Sequence, residues 1–263
     1  MKDMNKIALI GRGYVGQAYL NVFPDAVVYD RKHLITSRQE VNNCELAIIA
    51  VPTDLLPNVN LDMSIVEEVI AWVETPLIVI KSALMPGTVD KLKTKYNKRI
   101  TVSVEMVGEG NYFMPFWKVP DPKNPLSHNF LILGGDIKDT TEVAEYFWDK
   151  MSPDINIHLL SAIEVEICKL MENTWIGLKL TFANTIYDIC QAYDANYTKV
   201  LQAWGSDGRV EKMHMRVTSK KRGYKSKCLD KDIPALLKVA KDKNIESFLL
   251  EGILKANQVH FLP

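Results

Sequence analysis

The sequence lacks any apolar run as long as a membrane-spanning helix, which needs roughly 18 to 20 residues. Its four cysteines stand at irregular intervals that match neither a metal-binding knuckle nor the disulfide framework of a small secreted domain. Basic residues number 32 and acidic residues 32, so no net charge attracts nucleic acid or an anionic membrane. The first residues lead into a strand pattern and not into a signal-peptide core. We therefore expect a cytoplasmic protein with reduced thiols, no metal site and no membrane or nucleic-acid partner.

The chain has 263 residues, 47% of them hydrophobic, which is enough for two domains or one large one. Short β-rich runs alternate with helical patterns through residues 1–160, which predicts a doubly wound, Rossmann-type α/β domain with a parallel sheet. Beyond it, residues 162–193 predict one long helix, and residues 161–263 a small all-α domain. The predicted strands are 6–11, 26–30, 45–51, 76–82, 101–106 and 129–135, and the later helices are 196–204, 233–241 and 245–259.

A glycine-rich loop follows the first predicted strand and opens a helical pattern, the context of a dinucleotide-binding turn. Glycines let backbone amides approach a pyrophosphate, and the helix N-terminus adds partial positive charge. Asp30 ends the second predicted strand, where a carboxylate binds ribose hydroxyls and repels a 2′-phosphate. The pattern therefore predicts bound NAD. The loop residues predicted to hold it are Gly11, Gly13, Tyr14, Val15 and Gly16.

Two further pairs of polar residues carry candidate chemistry. Lys169 and Asn173 are four residues apart on the predicted long helix, so they share one face and are placed to polarise an alcohol or oxyanion. Glu105 ends the fifth predicted strand, at the edge where doubly wound sheets bind ligands, and Glu109 follows it one helical turn later. One of these acids is a candidate general base. Solvated surface side chains are the alternative interpretation of both pairs.

Cys228 lies among charged residues, whereas the other three cysteines lie in apolar surroundings typical of buried structural thiols. The neighbouring cations Lys227 and Lys231 stabilise a thiolate, which is the nucleophilic form, and Asp232 is placed to pair with Lys231. Beside a nicotinamide site, such a thiol predicts oxidation through a thioester. An incidental cysteine is the alternative interpretation.

Taken together, these residues resemble the UDP-glucose/GDP-mannose dehydrogenase family. Its members are NAD-dependent enzymes that oxidise the primary alcohol of a nucleotide sugar to a carboxylate in two hydride transfers. The likeness spans nearly the whole chain and rests on the order and spacing of six motifs. These motifs are residues 11–16, Val-Pro-Thr at 51–53, Lys-Ser-Ala-Leu-Met-Pro-Gly-Thr at 81–88, Glu-Met-Val-Gly-Glu-Gly at 105–110, Lys-Leu-Met-Glu-Asn-Thr at 169–174 and Cys-Leu-Asp-Lys-Asp at 228–232.

The resemblance implies a role for each motif, with UDP-glucose as the favoured substrate. Lys169 and Asn173 would hold the reacting oxygen in the first oxidation, and Cys228 would capture the aldehyde as a thiohemiacetal. A second hydride transfer would leave a thioester, whose hydrolysis Glu105 would assist, while Asp232 would support the thiol. The remaining residues implied to lie near the cofactor are Thr53, Ala83, Glu109 and Lys231. The family also implies a homodimer formed through the long helix.

The sequence departs from the family pattern in three places. Ala83 stands where the family has threonine, which removes a hydroxyl expected near the cofactor and an ordered water. Lys225 and Ser226 replace paired glycines on the approach to the thiol. The chain also stops at Pro263, so we expect it to lack the second Rossmann-like domain with which family members grip the nucleotide.

A basic segment offers a substitute for that grip. Residues 209–231 contain nine Lys or Arg against two acids. Since lysine and arginine bind phosphate well, we hypothesise that this segment holds the diphosphate of the substrate. A solvated basic loop is the alternative. The candidate substrate-binding residues are Lys169, Lys220, Lys221, Arg222, Tyr224, Lys225 and Lys227.

Two other functions fit part of the pattern. A two-electron hydroxyacid dehydrogenase of the 6-phosphogluconate or hydroxyisobutyrate type shares the cofactor domain and the lysine-plus-asparagine pair but needs no thiol. An NAD-binding remnant, whose basic loop contacts nucleic acid or a partner protein, needs no catalysis at all. Two NADH per substrate would indicate the thioester route and one the hydroxyacid route.

Overall fold

The computed structural model describes residues 6–33, 36–108, 124–151 and 154–261. The described residues form two compact units. Unit 1 lies within Met1–Leu56, Asn60–Tyr112 and Val119–Lys169, and unit 2 lies within Pro57–Val59 and Leu170–Pro263.

Unit 1 is built on a sheet whose strands in the described residues follow the order β2-β1-β3-β4-β5-β6-β7. Strands β1 to β5 are parallel, β6 pairs antiparallel with β5, and β7 pairs parallel with β6. The doubly wound α/β fold class is thus confirmed. The strands are β1 (Ile7–Ile10), β2 (Val27–Tyr29), β3 (Leu46–Ile49), β4 (Leu77–Ile80), β5 (Ile100–Val102), β6 (Phe130–Gly134) and β7 (Asn156–Leu160).

The sequence pattern missed one strand and one strand direction. All six predicted strands are present, but β7 was not predicted because it is a largely exposed edge strand without a buried apolar run. The prediction of a wholly parallel sheet was wrong at β6, which runs antiparallel to β5. Strand direction depends on the route of the connection between two strands, which local periodicity does not record.

The core of unit 1 lies on both faces of the sheet. Successive side chains of a strand point to opposite faces, so Ile78 and Ile80 join one apolar cluster while Leu77 and Val79 join the other. Helices cover both faces, which explains why the strands read as continuous apolar runs. The helices of unit 1 are α1 (Tyr14–Leu20), α2 (Arg38–Asn42), α3 (Ser64–Trp72), α4 (Thr88–Tyr96) and α5 (Ile137–Trp148), and α6 (Ala162–Ala192) begins here.

The elements of unit 2 in the described residues are helices and one short bridged turn, Thr218↔Lys221. Its helices are the rest of α6, α7 (Tyr197–Trp204), α8 (Leu229–Asp242) and α9 (Phe248–His260). The long uninterrupted α6 agrees with the predicted 162–193. Helix α8 begins four residues earlier than the predicted 233–241, because Ser226 Oγ accepts hydrogen bonds from the backbone N–H groups of Cys228 and Leu229. Pro234 lies in its second turn, where it costs one backbone hydrogen bond.

Within the described residues, no helix is both long enough and apolar enough to cross a membrane. The same residues hold no cluster of three or more His, Cys, Asp or Glu arranged to bind a metal ion.

A buried carboxylate joins the second turn of α6 to the start of α4 within unit 1. Glu166 is fully buried, and its two oxygens accept hydrogen bonds from the backbone N–H groups of Gly87, at 2.5 Å, and Val89, at 2.9 Å. The N-terminus of α4 stabilises this negative charge. Burial nevertheless raises the pKa of Glu166 to about 6, against an ordinary value of 4.5.

Replacing Glu166 with glutamine tests whether burial raises the pKa of this carboxyl. Because the folded-state pKa is raised, the contribution of Glu166 to wild-type stability is fully present below pH 4.5 and is lost as pH rises through about 6. This difference between the folded-state and ordinary pKa values corresponds to a free energy of about 2 kcal/mol. From pH 4 to pH 7, Glu166→Gln should therefore gain about 2 kcal/mol relative to wild type in urea unfolding. Glu164→Gln is the control, because Ser161 lowers the pKa of that exposed carboxyl and predicts the opposite slope. Parallel curves for wild type and Glu166→Gln would refute the assignment.

Candidate active site

The carboxyl ends of β1 to β5 bring most of the predicted cofactor residues to one edge of the sheet in unit 1. The loop after β1 carries the glycines, and Asp30 follows β2. Thr53 lies beyond β3, Ala83 beyond β4 and Glu105 beyond β5. In doubly wound sheets, this edge is where ligands bind.

The three glycines of the first loop have different physical roles. Gly11 has φ +96°, and a Cβ there would lie 2.3 Å from the carbonyl oxygen of Ala50. A Cβ on Gly16 would lie 2.0 Å from the carbonyl oxygen of Gly11. Around Gly13, by contrast, no heavy atom lies within 4 Å of the Cβ position. Gly11 and Gly16 are thus required by packing, whereas Gly13 leaves open space at the N-terminus of α1, which fits a pyrophosphate.

The other predicted loop residues flank this space. Tyr14 and Val15 form the first turn of α1, and the Tyr14 hydroxyl donates a hydrogen bond to the carbonyl oxygen of Gly108. Glu109, predicted to line the cofactor pocket, lies outside the described residues.

Asp30 is held by backbone amides. Its carboxylate accepts hydrogen bonds from the N–H groups of Arg12 and Lys32, each at 2.8 Å, and from that of His33 at 3.2 Å. Partial burial opposes ionisation, but these three bonds outweigh it and hold the pKa of Asp30 below its ordinary value. Asp30 is therefore a fixed anion next to the glycine loop, as recognition of ribose hydroxyls requires.

A serine that sequence reasoning left without a role connects the loops after β3 and β4. The Ser82 hydroxyl donates to the carbonyl oxygen of Val51 at 2.7 Å and accepts from the Val51 N–H at 3.0 Å. Thr53, two residues further on, is buried, while Ala83 is half-buried. This double hydrogen bond holds together the two loops that carry these predicted cofactor residues.

Below this edge, the predicted Glu105 lies near three buried polar side chains to which the sequence analysis gave no role, Lys81, Tyr19 and Ser103. The ammonium of Lys81 donates hydrogen bonds to the Tyr19 hydroxyl and to Ser103 Oγ, both at 2.7 Å. Glu105 is buried, and its Oε2 lies 3.9 Å from the Lys81 nitrogen. The sequence does contain a sign of this group, because Lys81 directly follows a fully apolar strand. A lysine at such a position is expected to be buried, and a buried lysine needs a polar or charged partner.

In unit 2, Cys228 is the N-cap residue of α8. Its half-buried thiol therefore lies at a helix N-terminus, where partial positive charge stabilises a thiolate. Asp232 is one turn further along, and the N–H of Asp232 donates to the carbonyl oxygen of Cys228 at 2.9 Å. The local fold thus places the predicted nucleophile and its predicted supporting carboxylate on one face of α8.

The Asp232 carboxylate is almost completely buried and is held from both sides. The side-chain amide of Asn173 donates to one oxygen at 2.6 Å, and the ammonium of Lys231 donates to the other at 2.6 Å. The structure therefore brings together three of the predicted residues and compensates a buried charge. Lys169 is half-buried on α6, one turn before Asn173 on the same face.

In the basic loop, Arg222 is placed differently from what the phosphate-binding hypothesis expects. Lys220 and Lys221 are exposed at the bridged turn, as a phosphate-binding role requires. The guanidinium of Arg222 instead donates to Asn184 Oδ1 at 2.9 Å and to Asp188 Oδ1 at 2.6 Å, so it anchors the loop to α6. The other loop residues vary in setting: Lys225 pairs with Asp230 at 3.3 Å, Lys227 is exposed, and Tyr224 is buried with its hydroxyl accepting and donating no hydrogen bond among the described residues.

The sheet order and the glycine loop define a Rossmann-type fold shared with dehydrogenases. Residues 163–259 match the sequence model of the UDP-glucose/GDP-mannose dehydrogenase family, central domain. The chain is 23% identical to UDP-glucose 6-dehydrogenase of Rickettsia bellii over 90% of its own length and 54% of that protein. These matches confirm the resemblance: residues 163–259 are similar to the central domain of the UDP-glucose/GDP-mannose dehydrogenase family, and most of the chain is similar to a UDP-glucose 6-dehydrogenase.

Solved structures confirm the fold. A UDP-glucose dehydrogenase from Pyrobaculum islandicum superimposes with a TM-score of 0.80 and 19% identity, over 97% of this chain and 68% of that one. A 3-hydroxyisobutyrate dehydrogenase from Mycobacterium tuberculosis superimposes with a TM-score of 0.70 and 10% identity, over 97% and 93%. The chain spans 60%, 54% and 53% of the length of three curated relatives.

Two glycine substitutions distinguish a position where packing excludes a side chain, Gly11, from one that borders open space, Gly13. Gly11→Ala should destabilise unit 1 by about 3 kcal/mol, because a positive φ and a clash with the Ala50 carbonyl act together. Gly13→Ala should cost about 1 kcal/mol or less, because its methyl group meets no protein atom. Chemical unfolding of the two variants measures both values. Equal losses would show that the loop geometry is wrong.

Proposed function

We propose that this chain acts in NAD-dependent oxidation of a nucleotide sugar to its uronate, with UDP-glucose as the favoured substrate. The observation that carries the proposal is the Asn173–Asp232–Lys231 network behind Cys228. A buried carboxylate held by an amide and an ammonium adds little net stability, so its place one turn from a thiol at a helix N-terminus is better explained by a role in supporting that thiol. The likeness to nucleotide-sugar dehydrogenases supports the same function.

We propose that NAD is held by the glycine loop and Asp30. The open space at Gly13, the N-terminus of α1 and the anionic Asp30 fit a dinucleotide with an unmodified ribose. Bound NAD would supply the hydride acceptor for both oxidations. The proposed roles of Tyr14, Val15, Thr53, Ala83, Glu109 and Lys231 near the cofactor follow the family resemblance.

In the proposed mechanism, the residues of this chain supply the nucleophile and the fixed charges. Lys169 and Asn173 hold the sugar oxygen while the alcohol is oxidised. The Cys228 thiolate then adds to the aldehyde, and loss of a hydride leaves a thioester on sulfur. Glu105 accepts a proton from the water that attacks this thioester, which releases the carboxylate product and the thiol. Asp232 keeps Lys231 and Asn173 in place throughout.

Counting reduced cofactor tests this function. Purified protein incubated with NAD and a panel of UDP- and GDP-sugars should form two NADH per sugar consumed, measured by absorbance. Cys228→Ser should lower this rate by at least about 100-fold, since it removes the thioester route. Cys168→Ser is the matched control, a half-buried thiol on α6 to which we assign no catalytic role. One NADH per substrate, unaffected by Cys228→Ser, would instead indicate a two-electron hydroxyacid dehydrogenase, whose fold this chain also shares.

We also propose that Lys220, Lys221, Lys225 and Lys227 bind the diphosphate of the substrate. Arg222 contributes by anchoring the loop, whereas Tyr224, predicted to contact the substrate, is buried in the apolar core of unit 2. Neutralising Lys220 and Lys221 together to glutamine should raise KM for the nucleotide sugar about tenfold, which is about 1.4 kcal/mol, and leave KM for NAD nearly unchanged. Lys238→Gln is the matched control, because this lysine pairs with Asp242 on α8. Equal changes in both KM values would contradict the hypothesis.

A homodimer through α6 is a further proposal. Trp175, Phe182 and Ile189 stand at seven-residue intervals on this helix and are all exposed, so they form one apolar stripe. The cytoplasmic location inferred from the sequence stays a prediction.

A further inference from the structure

Lys81 is buried in a setting that normally excludes a charge. Its side chain is 1% exposed, and its nitrogen lies 4.3 Å from the centre of the Tyr19 ring and 5.2 Å from that of Phe147. The two hydroxyls of Tyr19 and Ser103 accept its hydrogen bonds. Neutral acceptors and aromatic faces hold an ammonium in place but leave its charge uncompensated.

Glu105 is the complementary case. Its Oε1 accepts a hydrogen bond from the N–H of Met106 at 2.8 Å, whereas its Oε2 accepts none from the described residues. The distance of 3.9 Å between Oε2 and the Lys81 nitrogen is too long for a hydrogen bond. The Lys81 ammonium therefore interacts with Glu105 through charge alone, and no hydrogen bond among the described residues ends on Oε2.

We infer that Lys81 is a positioning residue for Glu105: its ammonium, held by Tyr19 and Ser103, supplies the buried carboxylate with a counter-charge without donating a hydrogen bond to Oε2. A carboxylate that is bonded directly to a lysine is a weak base, and one that is buried without a counter-ion takes up a proton. The arrangement in unit 1 avoids both outcomes. This inference rests on the proposed function for the part that Glu105 plays in hydrolysis.

The titratable groups around this site are few. Tyr19 comes from α1, Lys81 follows β4 and Glu105 follows β5, while α5 contributes the apolar ring of Phe147. Burial lowers the pKa of Lys81 to about 8, although the charge of Glu105 raises it. Burial, and then the charge of Glu105, raise the pKa of Tyr19 well above its ordinary value. Lys81 is thus the counter-ion that faces Glu105 in the described part of unit 1.

Urea unfolding of Lys81→Met tests the charge pairing without any substrate. Methionine keeps the aliphatic stem and removes the charge, so Glu105 should become protonated in the folded state as pH falls. The gain in unfolding midpoint between pH 7 and pH 5, a range below the pKa of Lys81, should therefore be larger for Lys81→Met than for wild type. Adding Glu105→Gln to Lys81→Met should remove the extra gain. Lys98→Met is the control, because this lysine donates to the carbonyl oxygens of Ile70 and Val73 and to no carboxylate among its hydrogen-bond partners.

The same variants are then compared in the NADH assay. In Lys81→Met, the acidic limb of the kcat profile should move up by at least about one pH unit, while KM for NAD changes less than about two-fold. Ser103→Ala removes one of the hydroxyls that hold the ammonium and should shift the kcat profile by a smaller amount in the same direction. If Lys81→Met does not fold, Ser103→Ala is the variant that tests the inference.

The two readouts separate this inference from the proposed function. If unfolding of Lys81→Met and of Ser103→Ala follows the same pH dependence as wild type and Lys98→Met, the charge pairing is refuted. If the extra gain is present but no nucleotide sugar yields NADH, the pairing holds and the proposed function fails. If the extra gain is present and the kcat profile does not move, Lys81 has only a structural role and the positioning role is overturned.

Discussion

The candidate cofactor site depends on one geometric constraint, the common direction of strands β1 to β5. Because parallel strands end at the same edge of a sheet, loops that are far apart in sequence meet there. The close approach of Gly11 to the Ala50 carbonyl keeps the first loop tight against β3, and Ser82 joins the loops after β3 and β4. A side chain in place of Gly11 would separate elements that the rest of the edge requires to be in contact.

Buried charges are the second theme of the molecule, and each is compensated in its own way. Glu166 caps α4 through backbone amides, and Asp232 is held between an amide and an ammonium. Lys81 and Glu105 face each other across 3.9 Å without a hydrogen bond. Breaking a buried pair usually costs more than its presence gains, so such groups are poor sources of stability. The presence of Lys81 and Glu105 at the carboxyl edge of the sheet, and of Asp232 one turn from Cys228, is better explained by the proposed chemistry.

Unit 2 shows how a local cap changes the meaning of a motif. The sequence predicts that Cys228 lies in a charged loop that precedes a helix. The Ser226 hydroxyl instead starts α8 at Leu229, which converts the thiol into an N-cap residue and aligns it with Asp232. Arg222, whose charge suggested a phosphate ligand, is used to tie the same loop to α6. The exposed lysines of this loop support the phosphate-binding proposal better than Arg222, because the guanidinium of Arg222 is already bonded to Asn184 and Asp188.

The sequence alone determined the strong periodic features: six apolar strands, the long helix α6, the glycine loop with Asp30, and the motif order that resembles the family. These follow from local rules, since burial on both faces of a sheet and glycine at a tight turn leave direct marks on residue type. Tertiary structure alone decided the antiparallel direction of β6, the exposed edge strand β7, and the partners of Lys81, Glu166 and Arg222. Those features depend on which distant groups meet, because a buried charge or an edge strand is stabilised by neighbours that the local sequence does not contain.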